Sequence, residues 1–103
     1  MIRVDPKRLD LAAEFMTKPI GAHSAELQQI LWLFRGAPPA GKHVLVAIEP
    51  HRTWVLAQMD GRPGKPLKLH KSQVFRSLEE AERAVFRLRW KHYTGQSLPE
   101  KLP

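Results

Sequence analysis

The residues of this chain with chemistry to offer are five histidines, a cluster of glutamates and an excess of arginine and lysine; there is no cysteine. The missing thiols exclude a cysteine nucleophile, a disulfide scaffold and any Cys-ligated zinc or iron–sulfur site. Histidines without cysteine raise the question of a metal. However, His23, His43, His51 and His70 are spread along the chain, and no pair has the i, i+4 spacing that puts two imidazoles on one helix face. They read as surface and capping residues, and no metal site is expected. Glu79, Glu80 and Glu82 look like paired carboxylates, yet they stand where a helix begins and favour its positive end. The segment Gly61-Arg62-Pro63-Gly64-Lys65 is glycine-bearing and basic, but Pro63 removes an amide that a phosphate cradle needs. There is no Gly-x-Ser-x-Gly elbow, no Walker-type loop and no dinucleotide fingerprint. No catalytic residue is assigned, and whether the chain belongs to an enzyme is left to its partners.

The positive charge is unevenly placed. Residues 1–51 hold six basic and five acidic side chains, residues 52–103 eleven and five, giving a net +7 that lies almost entirely in the second half. Arg62, Lys65, Lys68, Lys71 and Arg76 face only Asp60 in their stretch. With Arg52 and Trp54, the residues Arg62, Lys65 and Lys68 define a candidate phosphate-tracking surface, so a small basic nucleic-acid-binding module using the sheet and its loops is one reading. Arg83, Arg87 and Lys91 form an i, i+4, i+8 ladder that reads as a solvated helix face.

Stepping along the chain, Asp5-Pro6 predicts a helix start, with Leu9, Ala12, Ala13 and Phe15/Met16 as its apolar stripe and Pro19-Ile20-Gly21 as its end. Ser24 caps a second helix whose Leu27, Ile30, Leu31 and Phe34 share one face, and Gly36 stops it. His43–Ile48 and Thr53–Met59 predict two antiparallel strands. Pro66–His70 predicts a weak third strand at an edge, where a proline is tolerated. Ser77-Leu78-Glu79-Glu80 is a capping box that opens a helix running to about Tyr93, with Gly95 beyond it. Ala81, Ala84, Val85 and Leu88 form one stripe of this helix, and Phe86, Trp90 and Tyr93 another, so it needs two apolar neighbours. The fold class is α+β: a small three-stranded antiparallel meander packed by a C-terminal helix and preceded by one or two N-terminal helices. Residues 1–22 are expected to form an arm with a short helix, 23–95 a single domain and 96–103 a loose tail.

Both hairpin strands are apolar on both faces, whereas a half-solvated sheet alternates apolar with polar. Both faces should therefore be covered: one by the last helix, the other by the Ser24–Arg35 helix or by another chain. A unit of about 50 residues buries only roughly 60% of its unfolded surface. Part of its aromatic load is therefore assigned to a partner interface: Trp32, Phe34, Trp54, Phe86, Trp90 and Tyr93, with Arg35 and Arg89 as polar anchors. No apolar run approaches the roughly 20 residues of a membrane span. The acidic N-terminal residues show no signal-peptide block, so a cytoplasmic location is expected.

Three strands followed by Phe75-x-Ser77-x-Glu79-Glu80-Ala81 resemble, in outline, the plant ethylene-response-factor type of DNA-binding domain. That family reads DNA through strands studded with Arg and Trp, whereas Val44 to Ile48 are aliphatic here. A longer resemblance runs through Pro19-x-Gly21, His23-Ser24, Leu27-Gln28, Phe34-Arg35, Pro38-Pro39 and Gly41-Lys42. It continues through Trp54, Phe75-x-Ser77-x-Glu79-Glu80-Ala81, Ala84-Val85-Phe86 and Leu88-Arg89. In that order, over about residues 19–90, the chain is similar to the small (alpha) subunit of N,N-dimethylformamidase. The resemblance implies a non-catalytic accessory subunit in a hetero-oligomer. A large subunit would hold a mononuclear iron and hydrolyse the amide to dimethylamine and formate, with no cofactor on this chain.

Overall fold

The computed structural model describes residues 4–36, 41–62 and 64–102. In chain order these form helix α1 (Leu9–Thr17), helix α2 (Ala25–Arg35), strands β1 (His43–Glu49), β2 (Thr53–Gln58) and β3 (Lys68–Phe75), and helix α3 (Leu78–Thr94). The sheet is an antiparallel meander in the order β1-β2-β3. This is the expected α+β architecture. Among the described residues no helix is long and apolar enough to cross a membrane.

The ends of the elements follow local chemistry, with three departures from the sequence reading. Asp5 does not cap α1: its carboxylate accepts from the Lys7 amide at 2.9 Å, which closes a separate turn and delays the helix to Leu9. β3 does not end at His70 but runs on to Phe75. Between the pairs Val55↔Val74 and Leu56↔His70 the ladder is offset, and the polar Lys71-Ser72-Gln73 are accommodated there as a bulge. Of the capping box at α3 only half forms. Ser77 Oγ accepts from the Glu80 amide at 3.4 Å, while the Glu80 carboxylate pairs with Arg83 instead of the Ser77 amide. Gly95, at φ 75°, closes α3 in the left-handed conformation that glycine takes without strain, its amide donating to Lys91 O.

Helix α3 is the middle layer. Its Phe86 and Trp90 join Leu11, Ala12 and Phe15 of α1 and Leu27, Ile30, Leu31 and Phe34 of α2 in one buried cluster. Phe86 stacks on Phe15 at 4.2 Å between ring centroids and meets Phe34 edge-on at 5.6 Å. Polar contacts lock the same helices. Arg83 Nε donates to Met16 O (2.8 Å), Tyr93 Oη to Leu33 O (2.9 Å), and Glu14 accepts from both the amide and the hydroxyl of Ser24 at the start of α2. The N-terminal segment is thus part of the core, not an arm. The C-terminal tail is not loose either: Leu98 is buried in the same cluster, and Arg87 holds Pro99 O.

The second stripe of α3, with Ala81 and Val85 buried outside that cluster, turns towards the sheet. The strand register places Val44, Val46, Val55, Ala57, Leu69 and Val74 on one sheet face. His43, Leu45, Trp54, Leu56, His70 and Phe75 lie on the other. The His43 ring on this second face is 6.3 Å from that of His70, Arg89 of α3 donates to the His43 carbonyl, and the first face leaves Leu69 and Val74 exposed, so α3 packs on the second face. Of the two coverings expected for the remaining face, α2 or another chain, α2 does not serve: its apolar stripe is used up against α1 and α3. On that face Val55 and Ala57 of the central strand are buried, but Leu69 and Val74 are 44% and 45% exposed.

Candidate functional site

The residues read as a partner interface separate into three groups. Phe34, Phe86 and Trp90 are 1%, 2% and 1% exposed, so a partner cannot reach them; they fill the chain's own core, because three helices converge on them. Tyr93 and Trp54 are intermediate cases. Tyr93 stands at the surface but gives its hydroxyl proton to α2, and Trp54 is half-buried on the sheet face towards α3. Trp32, Arg35 and Arg89 remain, and these the structure brings together.

They line one cleft of about 370 Å³ between the α1–α2 loop, α2 and α3. Its floor is the edge of the aromatic core, with Leu31 and Val85, and its rim carries Trp32, Arg35, Glu82 and Arg89. The helical spacing of α2 turns Leu27, Ile30, Leu31 and Phe34 inward and leaves Trp32 off that stripe. An indole thus stands 70% exposed at the mouth of the cleft.

Arg89 reaches this position from α3 by donating Nη2 to His43 O at 2.9 Å, while its Nε is buried without a hydrogen-bond partner among the described groups. Burial pushes its pKa down, Glu82 opposes that shift, and Arg35 adds to it. Lys42 completes the cluster. Its ammonium holds Arg35 O at the C-terminal end of α2, where a cation is favoured, and burial together with Arg89 lowers its pKa. None of Arg35, Lys42 and Arg89 makes an ion pair with a described carboxylate. Elsewhere Arg8 bridges Asp10 and Glu26, Arg62 holds Asp60 and Arg83 holds Glu80, while the other described basic side chains, Arg52, Lys65 and Lys68 among them, make no ion pair either. The cleft is set apart by Arg35 and Arg89 lining it beside an exposed indole.

Sequence reasoning placed Glu82 among the helix-start carboxylates and Lys42 in the Gly41-Lys42 element of the family resemblance, and assigned neither to a site. Lys42 joins the cleft through a contact seven residues back along the chain, and Glu82 through the azimuth of α3 relative to α2.

The residues of the nucleic-acid reading are not brought together. Arg52 lies in the β1–β2 turn, while Arg62, Lys65 and Lys68 lie at the opposite end of β2, about 17–20 Å away along a six-residue strand. Arg62 is neutralised by Asp60 at 2.6 Å, and Trp54 points to the face that α3 covers. Among the described residues no three His, Asp or Glu side chains converge as a metal site.

Compared with known families, residues 4–100 match the model described as the N,N-dimethylformamidase alpha subunit. No curated protein sequence matches the chain.

Proposed function

Since the chain belongs to the N,N-dimethylformamidase alpha-subunit family, we propose that it is the small accessory subunit of a dimethylformamidase-like amidohydrolase and that it binds and stabilises the large catalytic subunit. The observation that carries this reading is the family match, which spans nearly the whole chain. Two surfaces support it: the aliphatic sheet face with Leu69 and Val74 uncovered, and the cleft rimmed by an exposed indole and unpaired cations. Contiguous apolar surface of this kind marks interaction sites on soluble domains, and Trp and Arg are the side chains on which interfaces most often depend. The chemistry of amide hydrolysis, with its iron, belongs on this reading to the large subunit.

The test is co-expression with a dimethylformamidase-type large subunit followed by size-exclusion chromatography. The two chains are expected to co-elute as one hetero-oligomer, and the large subunit to lose solubility or thermal stability when expressed without its small partner. A small chain that elutes as a free monomer beside an unaffected, active large subunit overturns the proposal.

A further inference from the structure

Three cations and one indole meet where α2 ends, β1 begins and the third turn of α3 passes. Lys42 and Arg89 are both tied to backbone carbonyls, Arg35 O and His43 O, which fix their positions but neutralise nothing. Glu82 is the one carboxylate on the cleft wall, and it lies seven residues, about 10 Å, before Arg89 along the helix, outside ion-pair distance of any described cation. Burial and like charge both disfavour the cationic forms here: Arg35 acts on Arg89 and Arg89 on Lys42 in that sense, and Glu82 offsets it only in part at Arg89. The floor beneath them is apolar, and Trp32, 70% exposed, stands over it. A ligand that suits this place has an anionic group for the Arg35/Arg89 end and an apolar body for the Trp32 end.

We propose that the cleft between α2 and α3 is the seat of an acidic segment of the large subunit, with a carboxylate placed between Arg35 and Arg89 and an adjoining apolar side chain packed beneath Trp32. This rests on the subunit reading above and deepens it by choosing one of the two available surfaces. Charge complementarity makes the choice. The open sheet face is aliphatic and offers burial without selectivity, whereas the cleft offers both an anchor pocket and a positive field, offset only in part by Glu82, for recognition of an acidic partner. Arg35 presents a planar fork of donors that suits a carboxylate, and Arg89, its Nη2 donating to His43 O and its Nε buried, adds its charge and the remaining Nη1.

The test is capture of the large dimethylformamidase subunit by the tagged small subunit, wild type against variants, with circular dichroism and melting temperature checked for each. Trp32→Ala and Arg35→Glu alter side chains that the fold leaves exposed and are expected to fold as wild type. Each is expected to weaken capture by about tenfold or more. Arg35→Lys, which keeps the charge but not the fork, is expected to lose less than Arg35→Glu, and raising salt to weaken the wild-type complex but not the Arg35→Glu remnant. Leu69→Ser and Val74→Ser, on the open sheet face, are expected to capture as wild type does. If the wild type captures the large subunit and the cleft variants do so equally well, the cleft assignment is overturned while the subunit reading stands. The same holds if the sheet-face variants alone lose capture. If the wild type itself captures nothing, both fall.

Discussion

Helix α3 separates two regions built on different terms. On one side lie rings: Phe15, Phe34, Phe86 and Trp90 close on one another within a three-helix cluster, and the polar groups around them are answered by Glu14, Arg83 and Tyr93. On the other side lies a sheet of aliphatic strands with one face on α3 and the other burying Val55 and Ala57 but leaving Leu69 and Val74 exposed. The helical region is finished within the chain, whereas the sheet region is finished on one side only. Aromatic content is therefore a poor guide to where a partner docks. Large rings satisfy one another wherever helices can converge, and the surface left over is made of smaller residues at a sheet edge together with one indole off its helix stripe.

The comparison can be broken by mutation. Trp90→Ala removes a ring that is almost wholly buried in the helical cluster and should cost about 3–5 kcal/mol, a large part of what a domain of this size has. Val55→Ala removes two methyl groups at the centre of the sheet and should cost about 1.6 kcal/mol, at about 0.8 kcal/mol per buried carbon. Urea unfolding of the two variants gives both numbers. If Val55→Ala proves as damaging as Trp90→Ala, the two regions are one cooperative core and the contrast drawn between them is wrong.

Much of this division was legible in the residues. The stripes of α2 and α3, the hairpin, the stop at Gly95 and the need of α3 for two apolar neighbours follow from spacing that only one arrangement satisfies. What was not legible depends on contacts between distant segments. The reach of β3 to Phe75 requires a bulge at Lys71-Ser72-Gln73 that no local pattern announces. Phe34, Phe86 and Trp90 carry interface-type chemistry, and only the convergence of three helices makes them core. At the cleft, Trp32, Arg35 and Arg89 could be picked by type, but their meeting with Lys42 depends on how β1 starts beside the end of α2.

Acid should separate the two regions by a smaller effect. Burial, followed by the charges of His70, His92 and Arg89, holds the His43 imidazole below its ordinary value of about 6.5. Between the folded and ordinary values the unfolded chain binds the proton more readily. The stabilisation from a neutral His43 is therefore fully present above pH 6.5 and is lost as pH falls through the folded value. The helical region has its own acid group. Ser24, through hydroxyl and amide, holds the Glu14 carboxyl below its ordinary value of about 4.5, so that contribution is intact at pH 6 and fades only below 4.5. Hydrogen exchange of the β1 and β2 amides should thus quicken on going from pH 7.5 to 5.5, after correction for intrinsic exchange, while amides of α1 and α2 hold until the pH drops past 4.5. His43→Gln should flatten the first response and leave the second, and Glu14→Gln the reverse. Equal loss of protection in both regions over the upper window would show that the histidines against α3 do not act on the sheet alone.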